Sequence, residues 1–75
     1  MTAASDSVEE TVQYGNGNIK YTGFLLEGAM HGAWSWYHTG GSLMRTGEFD
    51  RGLQVGRWRT YDGAGRVVKE TAVAG

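Results

Sequence analysis

Two histidines, His31 and His38, and a scatter of carboxylates are the residues of this chain able to carry acid–base or metal chemistry. Such chemistry needs titratable groups that converge on one point. The histidines lie beside glycine-bearing stretches and read as turn residues. Glu48, Asp50 and Asp62 read as strand-end and turn acids, where a short carboxylate bonds its own backbone. No glycine-rich stretch is followed by the Gly-Lys-Ser/Thr of a phosphate loop, and Ser35 has no nucleophile-elbow context. Cysteine is absent, which removes disulfides and thiolate metal sites. The expectation is therefore a non-catalytic chain with no metal and no cofactor. What remains is a basic cluster, Arg57, Arg59, Arg66 and Lys69, with Tyr61 among them, read as a possible binding surface. The balance is uneven, because residues 1–37 hold one lysine against four acids and residues 38–75 hold six basic groups against four acids. The cluster is either a solvated sheet face or a surface for anionic lipid, nucleic acid or an acidic protein patch. The overall net charge of −1 argues against nucleic acid, and a pair of arginines is too few for strong phosphate-driven affinity.

The elements that must position these residues are constrained by size. Seventy-five residues make one domain at most, and a chain of this length buries only about 60% of the surface that its unfolded form exposes. No apolar run approaches the ~20 residues of a membrane-spanning helix. The small, polar opening, residues 1–7, lacks the basic start and apolar stretch of a secretory signal, so it reads as a flexible tail on a cytoplasmic protein, with the folded domain over residues 8–75. Thirteen glycines and no proline point to short strands joined by tight turns. Glycines so closely spaced would each cost an interior helix position about 1 kcal/mol.

The glycines recur. A shift of 24 residues superposes Gly17 on Gly41, Gly41 on Gly65, Gly23 on Gly47, Gly28 on Gly52 and Gly32 on Gly56. The same shift superposes Thr22 on Thr46, Trp34 on Trp58 and Tyr37 on Tyr61, and it aligns Ile19, Leu43 and Val67. Self-similarity at a fixed period of this size is the signature of stacked supersecondary units. Within each unit, period-two alternation between glycine-bearing turns reads as a hairpin. Strands are expected at residues 8–13, 18–25, 32–37, 42–49, 57–61 and 66–72, with Asn16-Gly17 as a strong turn signal. Ser7 with Glu10 three residues on also spells a capping box, leaving a helical start over residues 8–14 as the alternative at that point. The fold class expected is all-β: an antiparallel meander of about six strands, built from three 24-residue hairpins in a single extended, twisted sheet.

Gly17, Gly41, Gly52 and Gly65 fall at turns. Gly23 and Gly47 fall inside strands, where bare backbone is a weakness unless a neighbour covers it. Trp34 is the natural cover for Gly23 or Gly47, and Trp58 for Gly47. The expected core is Ile19, Tyr21, Leu25, Trp34, Trp36, Leu43, Phe49, Trp58 and Val67. The opposite face, with Phe24, Leu26, Met30, Met44 and Val68, is expected to seek a partner, and Tyr37 and Tyr61 are expected to send their hydroxyls to turn backbones.

The run Gly32-Ala33-Trp34, Tyr37, Gly41-Ser42-Leu43, Gly47-Glu48-Phe49, Gly52, Gly56-Arg57-Trp58, Tyr61, Gly65-Arg66-Val67 resembles the bacterial variant of the MORN repeat. The resemblance covers residues 14–71. In the first copy Gln13 and Glu10 stand in the tyrosine and tryptophan registers, and Thr71 replaces the last return glycine. It implies hairpins stacked into a twisted sheet, with Gly23, Trp34, Tyr37, Gly41, Gly47, Trp58, Tyr61 and Gly65 as structural repeat positions. It also implies binding or scaffolding rather than catalysis. Open sheet edges without proline and complementary end charges add an expectation of self-association, as a homodimer or higher oligomer. A peripheral anionic-lipid module and an antitoxin-like neutraliser of a partner protein are the alternatives.

Overall fold

The computed structural model describes residues 7–73. The chain is an all-β meander of six antiparallel strands: β1 (Ser7–Gln13), β2 (Ile19–Leu26), β3 (Ala29–Tyr37), β4 (Leu43–Asp50), β5 (Leu53–Tyr61) and β6 (Val67–Val73). Neighbours in sequence are neighbours in the sheet, in the order β1-β2-β3-β4-β5-β6. The molecule measures 42 × 32 × 15 Å, and the shortest dimension is one sheet with its side chains. The capping-box alternative does not form: residues from Ser7 onward are strand, and Ser7 pairs with Leu26. Ser7 therefore belongs to the sheet and not to the expected tail, the rest of which lies outside the described residues.

The turns explain the topology. Three of them repeat one geometry at a 24-residue spacing. Tyr14 N donates to Asn18 O and Gly17 N to Tyr14 O; His38 and Gly41, then Asp62 and Gly65, make the same two bonds. Each of these hairpins carries a register shift at its return strand, just after Ile19, Leu43 and Val67. The hairpins are linked by two-residue turns, Glu27-Gly28 with φ of 52° and 86° and Arg51-Gly52 with φ of 50° and 91°. Positive φ at both positions is the tight-turn geometry whose twist matches the flanking strands. It also explains why β3 and β5 begin at Ala29 and Leu53, well before the expected Gly32 and Arg57. A two-residue turn consumes almost no chain, so pairing resumes at once.

Glycines also set the inner packing. Thr22 pairs with Ser35 and Phe24 with His31, so three residues of β3, from Gly32 to Trp34, face the single Gly23 of β2. Likewise Thr46 pairs with Arg59 and Glu48 with Val55, so Gly56 to Trp58 face Gly47. The extra residues bulge the later strand and lay its indole on the earlier one. A Cβ built on Gly23 would come within 2.5 Å of three indole carbons of Trp34, and one on Gly47 would meet Trp58 in the same way. Trp34 is 2% exposed and Trp58 8%, and among the described residues they are the buried hydrophobic side chains. Their ring nitrogens donate to Phe24 O at 3.0 Å and Val55 O at 3.1 Å, as a buried indole N–H requires.

Around them runs one aromatic stripe. Tyr21 meets Trp34 at a centroid distance of 5.9 Å, Trp36 stacks on Trp58 at 5.6 Å, and Phe49 meets Trp58 edge-on at 5.2 Å. Pairs of this kind contribute about 0.5–1.5 kcal/mol each beyond area burial. The core is narrower than expected. Ile19 is 38% and Val67 51% exposed, because both stand at strand starts beside the turns, where a one-layer sheet has nothing to lay over them. Met30 pairs with Leu25, and alternation along β3 sets it with Trp34 and Trp36, not on the opposite face. The hydroxyl that reaches a hairpin backbone belongs to Tyr14, which donates to Tyr37 O at 2.7 Å. It ties the first turn to the second, with Asn16 and Asn18 both donating to Thr39 O at 3.0 Å.

Candidate interaction site

The acid–base candidates are dispersed. His31 lies inside β3 rather than in a turn, and its Nδ1 accepts from the Arg51 backbone N–H at 3.2 Å. It stands 3.9 Å from Asp50. His38 is in the β3–β4 turn, with a buried Nε2 that has no hydrogen-bond partner among the described residues. Glu48 lies within β4, and Asp50 ends it, at the Arg51-Gly52 turn. Asp62 does bond its own turn, accepting from Ala64 N at 2.9 Å and Arg66 N at 3.0 Å. These backbone donors, led by that of Arg66, hold its carboxyl below the usual range. Among the described residues no three His, Cys, Asp or Glu side chains gather as a metal-binding set.

The basic cluster is split by the pleat. Arg59 pairs with Glu70 and Thr60 with Lys69. Successive residues point to opposite faces, so Arg57, Arg59 and Glu70 share one face and Lys69 stands on the other. Glu70 accepts from Arg59 at 2.8 Å and from Arg57 at 3.3 Å. Those two guanidinium bonds, Arg59 first, push the Glu70 carboxyl down, and the same bond pushes the Arg59 guanidinium up. Arg66 meets the Asp62 carboxylate at 3.1 Å. Tyr61 ends β5, paired with Val67. The expected five-residue surface is thus two surfaces, one of them largely matched by its own carboxylates. Charge and spacing along one chain do not show cross-strand partners; the register does.

On the indole face the structure brings together residues that were not grouped in the sequence. One cross-strand row runs Val12, Tyr21, Trp36, Arg45, Thr60, Lys69 through all six strands. Arg45 lies between two indoles, 6.0 Å from the Trp36 centroid and 5.6 Å from that of Trp58, a cation–π arrangement. Beside it, Lys69, Thr60, Thr71 and Gln54 rim a shallow groove of about 130 Å³ next to Trp58. Among the described residues neither Arg45 nor Lys69 has a carboxylate within 4.0 Å. The groove reaches the edge strand β6, through Lys69, Thr71 and Val73.

The edges themselves are exposed. Among the described residues β1 and β6 each pair on one side only, and each offers an unsatisfied row of backbone donors and acceptors. Val8 on β1 is 61% exposed and Val68 on β6 also 61%. The opposite face adds Phe24 at 44% and Leu53 at 71%. No helix is long and apolar enough to cross a membrane. Set against known proteins, the chain matches no family model, no curated protein and no solved structure.

Proposed function

We propose that the chain is a non-catalytic protein-interaction module that works by pairing its open sheet with other chains, its own copies included. The observation that carries this reading is a one-layer sheet, 15 Å along its shortest axis, whose two edge strands each pair on one side only among the described residues and carry exposed apolar side chains. A ribbon of this kind gains stability by adding strands or covering a face, and it offers extended surface rather than an enclosed cleft. The resemblance to the MORN-variant pattern supports the same reading. Sedimentation velocity over a wide concentration range tests it. Mass should rise above the 8.2 kDa of one chain as concentration increases. A single 8.2 kDa species at every concentration, with no protein recovered in stoichiometric amount alongside the native chain, would overturn it.

A peripheral lipid-binding role would draw on Arg57, Arg59, Arg66 and Lys69 together. It is the weaker reading, since Glu70 and Asp62 already engage three of them and Lys69 faces the other way. Flotation with anionic vesicles separates the two readings, and any binding driven by these cations should fade with salt. An antitoxin-like role is the special case in which the partner is one toxic protein.

A further inference from the structure

We infer that copies of this chain join head to tail, the β1 edge of one copy adding to the β6 edge of the next in the register that continues the internal array, with Glu10 of the added copy seated against Lys69. This rests on the self-association reading above and specifies which edges meet.

The internal array already displays such a junction twice. Each time, a strand bulges and lays the side chain at one register position against the side chain at another. Between β2 and β3 these are Tyr21 and Trp34, 5.9 Å apart. Between β4 and β5 they are Arg45 and Trp58, 5.6 Å apart. A step of 24 residues carries Tyr21 to Arg45 and Arg45 to Lys69, and it carries Glu10 to Trp34 and Trp34 to Trp58. A strand added beyond β6 in this register therefore brings its Trp58-equivalent side chain to Lys69. When the added strand is β1 of another copy, that side chain is Glu10. Val8 stands where Gly32 and Gly56 take positive φ, so β1 joins without the bulge, and Glu10 falls opposite Thr71 and diagonal to Lys69, within reach of both long side chains. The junction becomes carboxylate on ammonium where the internal ones are aromatic.

Several observations favour this pairing over others. Glu10 and Lys69 lie on the same face, since Glu10 pairs with Gly23 and Lys69 belongs to the row of Tyr21 and Arg45. Among the described residues, Glu10, Arg45 and Lys69 have no oppositely charged partner within 4.0 Å. A carboxylate at this point would enter a groove already holding both cations. Finally, β6 has Thr71 where β2 and β4 have Gly23 and Gly47. Bare backbone is needed only under a ring, and a glutamate side chain does not demand it. A joint of two β1 edges is disfavoured, because it would set Glu9 and Glu10 of one copy against those of the other, and like charges across a sheet destabilise. The complementary signs select the head-to-tail joint. Such a heterologous contact leaves one β1 and one β6 edge free on every pair, so the assembly grows past two copies, into a ring where the rotation closes and a filament where it does not.

The test uses the full-length charge-reversal variants Glu10→Lys and Lys69→Glu, each checked for native near-ultraviolet circular dichroism and studied by sedimentation velocity. Each variant alone presents like charges at the joint and should associate about tenfold more weakly than wild type. An equimolar mixture restores opposite charges at every alternating joint and should regain wild-type assembly, as should the double variant. Single variants that assemble as wild type does, or a mixture no better than its parts, would overturn the head-to-tail joint while leaving self-association standing. A wild-type chain that stays a single copy throughout would instead remove self-association itself.

Discussion

Gly47→Ala places one methyl group where the Trp58 ring lies. Gly47 has an ordinary backbone conformation, so alanine there incurs no dihedral penalty and gains slightly in strand propensity and unfolded-state entropy. Its Cβ would nonetheless lie within 2.5 Å of three indole carbons, and real carbon contacts sit near 3.5–4.0 Å. The ring must lift by about 1 Å or more or leave. A tryptophan buries roughly 150–250 Å², which at about 25 cal/mol per Å² is about 4–6 kcal/mol for complete ejection. Partial lifting that also loosens Trp36, Phe49 and Arg45 should cost about 3 kcal/mol. A chain of this length has a total stability of roughly 4–11 kcal/mol, and in a domain of this size each kcal/mol moves the melting temperature by about 4–8 °C. Gly47→Ala should therefore melt about 12–24 °C below wild type. Gly63→Ala is the control: its Cβ meets nothing within 4 Å, and it should stay within about 0.5 kcal/mol. In a Trp58→Ala background the clash has no ring to strike, so Gly47→Ala should there cost almost nothing. Equal costs in both backgrounds by urea titration would refute the ring-on-glycine account.

Arg51→Asn should raise the melting temperature by several degrees, since Arg51 holds a φ of 50° that asparagine tolerates far better in this turn. Tyr14→Phe removes the donor to Tyr37 O and should lose about 1 kcal/mol, read from the shift in urea midpoint. Acidification should destabilise the sheet: Asp62 and Glu70 are held below their ordinary values, so their contribution is present above the unfolded-state carboxylate range and is lost as pH falls below about 4. Melting at pH 7 and pH 3 measures it, and Glu70→Gln should narrow the difference; an unchanged difference would exonerate the Arg57–Glu70–Arg59 cluster.

Much of the sheet was legible because its causes are local. A glycine at a tight turn and a tryptophan two residues after another glycine repeat at a fixed interval, and each constrains its own neighbourhood. Trp34 over Gly23 and Trp58 over Gly47 follow from the need to cover bare strand backbone. The misplacements share a different cause. Whether Lys69 joins Arg59 depends on pairing between strands, and that pairing is offset by bulges which composition does not reveal. Ile19 and Val67 have the side chains of core residues, but their exposure is decided by how few layers the fold has. His31 sits in a strand because the turn takes only Glu27 and Gly28 and pairing resumes at Ala29, whereas glycines at both 28 and 32 suggest a longer turn.

Because each hairpin rests only on those beside it in the chain, the molecule has no keystone. Duplicating or excising one 24-residue block should yield a longer or shorter ribbon that still folds, with stability changing stepwise per block. Such a design also lets folding begin at any hairpin and zip outward, without waiting for the two termini to meet.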